Sequence, residues 1–122
     1  MAAVSLISVT LVALGGAAGS VLRYLTSVLA LEWLGAAFPW GTLTVNAIGS
    51  FAIGALAGAD VEGGARLLLV TGLLGGFTTF SAFSLEATIL WDRAPALSIA
   101  YVAVSIMLGG ALCLAGFWLF RR

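Results

Sequence analysis

A chain of 122 residues that is 62% hydrophobic, 8% charged and formally neutral cannot clothe itself in polar surface, and its mean hydropathy of +1.20 makes it an integral membrane protein. It has no His and no Lys, so neither a nucleic-acid-binding surface nor a histidine switch is indicated. Cys113 is alone and set in an apolar run, which excludes an internal disulfide, offers no metal cluster and reads as a small buried hydrophobe. At this length the chain is a single domain over residues 1–122.

The charges divide the chain. Of the ten charged side chains, Glu32, Asp60, Glu62, Arg66, Asp92, Arg93, Arg121 and Arg122 fall between or after long apolar runs, and only Arg23 and Glu86 do not. Residues 1–22, 33–59, 67–85 and 94–120 carry no charge, and each run is near or above the ~20 residues a helix needs to cross hydrocarbon. Four transmembrane helices follow. The first lacks the basic leading segment of a signal peptide and is too long for its apolar region, so it counts as a span.

The first span is expected over residues 4–29 and carries Gly15 and Gly19 at GxxxG spacing, which lets helices approach closely. Arg23, so near an apolar run, either snorkels to the headgroups or lies in a wet cavity lined by protein. Tyr24, Trp33 and Trp40 read as interfacial anchors around the first loop. Pro39 precedes a second span over Trp40–Gly58, where a missing backbone donor does little harm. Thr42 and Asn46, four apart, share a helical face. The amide of Asn46, the chain's only Asn, cannot be satisfied by one backbone carbonyl and needs a partner, either as interhelical glue or facing a permeating anion. Gly54 and Gly58 repeat the small-residue spacing.

A short mixed-charge loop, 59–66, leads into the third span, which reaches Gly75 after two to three turns, close to mid-membrane. Two adjacent glycines followed by two β-branched threonines weaken the helix there, and a break at that depth exposes carbonyls able to bind a cation. Beyond it, Phe80 and Phe83 share one face and Ser81 and Ser84 line another. Phenylalanines at that spacing ordinarily fill a core. A ring turned edge-on to a narrow passage instead favours an anion, because its edge is positive. Glu86 stands at the far end of this segment, where it is either solvated or placed at an entrance. After Asp92, Arg93 and Pro95 the fourth span is expected over 96–120, with Tyr101, Ser105 and Gly109 along one edge. That edge is either packing around buried hydroxyls or a wall of a permeation track.

Taken together, GGFTTFSAFSLE (75–86), GGAAGSVLRY (15–24), TLTVNAIGSF (42–51) and the Tyr101/Ser105 pair resemble the CrcB (Fluc) family of prokaryotic fluoride channels, across all four spans. The resemblance implies a passive fluoride-selective channel that relieves fluoride toxicity. It would lie in the prokaryotic inner membrane as an antiparallel, dual-topology homodimer of four-helix subunits, the third helix broken near mid-membrane. Fluoride and the lipid bilayer would be its partners, and no catalysis is implied. Phe80 and Phe83 would contact fluoride with their ring edges, and Asn46 would supply a pore-facing amide. Tyr101 and Ser105, with Thr79 and Ser84, would belong to a polar track, Glu86 would act near a pore mouth and Arg23 in or beside a vestibule. The backbone carbonyls of Gly75 and Thr78 from each subunit would hold a structural, non-transported sodium ion (Na+). The family's track can continue with a hydroxyl where this chain has Gly109.

Outside the spans, Arg66, Arg121 and Arg122 fall on the side of the N-terminus and Arg93 on the other, so the positive-inside rule specifies orientation only weakly. The competing reading is a small proton-coupled multidrug exporter with dual topology. Such proteins depend on a membrane-embedded acid in the first helix, where this chain has Arg23. A third reading is a structural subunit of a larger assembly, with the glycines and Asn46 serving only as glue.

Overall fold

The computed structural model describes residues 4–122, and every regular element among them is helical. Four stretches are long and apolar enough to cross a membrane: Leu6–Leu34, Trp40–Gly58, Gly63–Arg93 and Pro95–Leu119. Helix α1 (Leu6–Leu34) starts where the Ser5 hydroxyl accepts from the Ser8 amide at 3.1 Å, and stops at Gly35, whose φ of 81° an L side chain would resist. It runs five residues past the expected end and takes Glu32 and Trp33 into its last turn. Helix α2 spans Trp40–Gly58, as the sequence predicts.

The third stretch is composite. A turn of helix, α3 (Gly63–Arg66), passes into π-helical backbone over Leu67–Leu74 and then into α4 (Gly75–Phe77). Thr78 (φ −84°, ψ 156°) and Thr79 (φ −151°, ψ 123°) are extended, and α5 (Phe80–Arg93) follows. The glycines therefore stay helical, and the two β-branched residues leave the helix. Helix α6 (Pro95–Leu119) follows α5 with only Ala94 between, Pro95 at its first turn costing no hydrogen bond.

Glycine sets the packing. A Cβ on Gly15 would collide with the backbone of Leu68 and Leu73, and one on Gly19 would lie 2.8 Å from the Phe77 nitrogen. From the opposite side, Gly72 faces the Val12 carbonyl, which a Cβ there would approach to 2.9 Å, and Gly76 faces the Gly16 carbonyl. Helix α1 and residues 67–77 thus meet backbone to backbone, which strengthens dispersion contacts where no hydrophobic effect drives helices together. The same device joins α2 to α6: Gly54 and Gly58 lie against the Cys113 and Phe117 carbonyls, and a Cβ on Gly116 would lie 2.9 Å from the Ala55 nitrogen. The packing reading of the small-residue spacings is the one observed. Val45, Leu74 and Phe77 form the small buried core between α2 and the third stretch.

The two ends of the bundle separate as the charges imply. At one end the Arg122 amide donates to the Gly58 carbonyl at 3.1 Å, next to the 59–66 loop. At the other the Arg93 guanidinium donates to the Ala37 carbonyl at 2.8 Å, tying the α5–α6 junction to the α1–α2 connection.

Candidate functional site

The extended pair Thr78–Thr79 would leave backbone groups stranded without a partner. Asn46, projecting from α2, supplies it: its Nδ2 donates to the Thr79 carbonyl at 3.0 Å, and its Oδ1 accepts from the Thr79 amide at 2.9 Å. The amide that sequence spacing leaves in search of a partner is therefore a two-point clamp on the third stretch, with one N–H of Nδ2 left over. Thr79 then caps α5, its hydroxyl accepting from the Ala82 amide at 3.1 Å and lying 3.3 Å from the Ser81 hydroxyl.

These bonds redirect the donors that a continuous helix would aim at Gly75 and Thr78. The Thr79 amide, four residues after Gly75, goes to Asn46, and the Ala82 amide, four after Thr78, goes to the Thr79 hydroxyl. Two hard carbonyl oxygens lose their regular helical partners as a result, and such oxygens suit a hard cation. Between them the Gly76 carbonyl accepts from Arg23 Nε at 3.1 Å, while the Leu74 carbonyl takes both the amide and the hydroxyl of Thr78. Arg23 is partly buried and turned into the protein, onto a carbonyl at the end of α4 where a cation is favoured.

The aromatic residues gather one turn further on. Phe80 and Phe83 lie with ring centroids 5.8 Å apart, Phe83 is 5.1 Å from Tyr101, and Tyr101 meets Phe38 edge-on at 5.3 Å. Phe80 is 78% exposed, whereas Tyr101 is wholly buried. Fully buried Tyr normally pairs its hydroxyl, yet Tyr101 Oη and Ser105 Oγ are both buried with no partner. They are one turn apart on α6, so two unclaimed hydroxyls follow each other along one edge. Where a further hydroxyl is missing at Gly109, Ser50 of α2 comes close: a Cβ on Gly109 would lie 3.3 Å from the Ser50 hydroxyl.

Glu86, partly buried on α5, accepts a hydrogen bond from the Thr42 hydroxyl through Oε1. Ser84 is partly buried one turn past Ser81. A cavity of about 330 Å3 lined by Thr42, Glu86 and Arg93, among others, opens at the Ala37 end of the bundle. A second, of about 230 Å3, is bounded by Asn46, Ser50, Gly75 and Thr78. Sequence reasoning overlooks Ser50 and the Thr42–Glu86 bond. The signal exists in part, since Thr42, Asn46 and Ser50 recur every four residues along α2. Among the described residues no group of three or more His, Cys, Asp or Glu could hold a metal ion.

Residues 10–117 match the model of the family described as CrcB-like protein, Camphor Resistance (CrcB). The chain is 51% identical over 124 residues to the fluoride-specific ion channel FluC of Rhizobium johnstonii (95% of this chain, 98% of the relative). It is 52% identical over 118 residues to that of a Chelativorans species (91% and 94%) and 49% identical over 125 residues to that of Agrobacterium fabrum (96% and 98%). With four membrane-length helices and a family match across nearly all of them, this chain is a multi-pass membrane protein belonging to the CrcB family.

Proposed function

We propose that the chain forms a fluoride-selective channel through which fluoride leaves the cell passively, across the inner membrane of a prokaryote. The observation that carries this reading is the pair of buried, unpartnered hydroxyls on Tyr101 and Ser105 beside the Phe83 ring. A donor left unpaired in the interior is costly unless something else accepts from it. A small dehydrated anion is such an acceptor, and the relatives are named as fluoride-specific channels. Hydroxyls and ring edges replace hydration without placing a formal charge in the path.

The functional unit is an antiparallel, dual-topology homodimer. The third helix is interrupted near mid-membrane at Thr78–Thr79, and Phe80, exposed on one subunit, faces the interface with the other. The carbonyls of Gly75 and Thr78 would hold a structural sodium ion. Two oxygens from one chain are too few for a hard cation, and a second copy would complete the set. When bound, the ion raises the local potential for anions, because its charge is poorly screened in low dielectric.

The exporter reading is not favoured. Glu32 does fall within α1, but in its last turn at the loop end. The other acids inside a helical span are on α5: Asp92 in its last turn and Glu86, which is bonded to Thr42. Ion efflux from liposomes containing purified protein tests the proposal. Fluoride should leave rapidly and chloride should not, with Phe80→Ile and Asn46→Asp abolishing the flux. Equal chloride and fluoride rates, or fluoride efflux indifferent to both substitutions, would overturn it.

A further inference from the structure

The 330 Å3 cavity lies between the α1–α2 connection, the start of α2 and the second half of α5. Phe38 and Trp40 form an aromatic wall, and Ser27, Thr42, Glu86 and Arg93 supply its polar side chains. Glu86 and Arg93 are seven residues apart on α5, two turns, so they share a face about 10 Å apart along the axis. Their charges are held differently. The Glu86 carboxylate accepts from Thr42, whereas the Arg93 guanidinium is pinned by a neutral carbonyl, that of Ala37 at 2.8 Å, which fixes the group without cancelling its charge. The cavity also abuts the unpartnered hydroxyl track, because Phe38 packs edge-on against Tyr101.

We infer that Arg93 is an electrostatic entrance to the anion path. Its pinned charge concentrates anions in the cavity and offsets the repulsion of Glu86 further in. The inference rests on the channel reading above and adds a residue that the sequence leaves in a loop. Arg23 does not take this part, because it is held against the Gly76 carbonyl and does not line this cavity. Against the carboxylates of Glu86 in the same cavity and Asp92 beside Arg93 on α5, removing a unit positive charge about 10 Å away lowers anion occupancy about two-fold in a water-like dielectric and about fifteen-fold at an effective value near 20. Screening separates this role from a mechanical one. The Debye length is about 30 Å at 0.01 M ionic strength and about 3 Å at 1 M, so the enrichment is present in the first condition and erased in the second.

The experiment is the initial rate of fluoride efflux from liposomes holding the full chain, at about 0.01 M and about 1 M ionic strength set by an impermeant salt. Arg93→Gln should slow efflux about three- to ten-fold at low ionic strength and less than about two-fold at high. Arg93→Lys should keep most of the parent rate at low ionic strength. If Arg93→Gln does not reconstitute, Arg93→Met against Arg93→Lys makes the same comparison. A deficit equal at both ionic strengths, or shared by the lysine variant, would reduce Arg93 to a clasp on the α1–α2 connection and overturn the inference. So would the absence of any deficit. A parent protein that conducts no fluoride would instead overturn the channel reading, and this inference with it.

Discussion

Asn46→Ala removes both hydrogen bonds that α2 gives to Thr79, and nothing else in the described structure replaces them. Each such bond contributes a net ~0.5–1.5 kcal/mol, and each backbone group left unsatisfied costs ~1–3 kcal/mol. Two groups are stranded, but the 230 Å3 cavity lined by Asn46 admits water to one side, which argues for the lower half of that range. We predict a local destabilisation of about 2–3 kcal/mol, or about a 30- to 150-fold rise in the open population of the Thr78–Thr79 segment. Hydrogen exchange read by mass spectrometry on peptides spanning 75–82, in lipid nanodiscs, measures this directly. Exchange should accelerate there and remain unchanged at the α2–α6 contact around Gly54 and Cys113. Asn46→Asp is a useful partner, because it keeps the acceptor for the Thr79 amide but sets an oxygen against the Thr79 carbonyl. Parent-like protection of 75–82 in Asn46→Ala would refute the clamp, and with it the account of how the Gly75 and Thr78 carbonyls lose their donors.

Glycines that look alike in the sequence should respond oppositely to one added methyl. Gly19→Ala drives a Cβ into the Leu73 carbonyl and the Phe77 amide and should destabilise by about 1–3 kcal/mol or more, whereas Gly110→Ala meets nothing within 4 Å and should gain about 0.5–1 kcal/mol from helix propensity. Thermal unfolding in one detergent compares them, and similar midpoints would count against the backbone contact between α1 and the third stretch. Tyr101→Phe deletes a buried hydroxyl that lies beside Thr42 without a formed hydrogen bond, so it should leave stability within about 1 kcal/mol of the parent while lowering fluoride flux. A large loss of stability would mean that the hydroxyl has a structural partner, and an unchanged flux would remove it from the ion path.

Residue type and spacing make the spans legible, because a charge-free run of membrane length has few alternatives and Asp92, Arg93 and Pro95 mark the α5–α6 junction. Boundaries are less legible where a charge can sit at a helix end. Glu32 reads as loop but lies in the last turn of α1, its neighbour Gly35 being the residue whose backbone stops the helix. Sequence places the weak point of the third stretch across Gly75–Thr79, and the extended backbone is confined to Thr78–Thr79 within it. Local propensity names the neighbourhood, and the Asn46 clamp selects the residues. The Thr42–Glu86 bond and the proximity of Ser50 to Gly109 join different helices, so no periodicity within one helix contains them. Tyr101 and Ser105 are legible as one edge of α6, but that their hydroxyls find no partner emerges only from the packed bundle.

The backbone contacts pair the first membrane-length stretch with the third and the second with the fourth, through Gly15 and Gly19 in one case and Gly54, Gly58 and Gly116 in the other. Neighbours in the chain are thus not the closest partners in space. During synthesis α1 must wait for residues 67–77, and α2 must wait for α6, before either glycine face is covered. A nascent chain halted after Gly58 holds two helices whose complementary surfaces have not yet been made. The order of manufacture therefore puts assembly at the end, and the last helix to enter the bilayer closes the subunit.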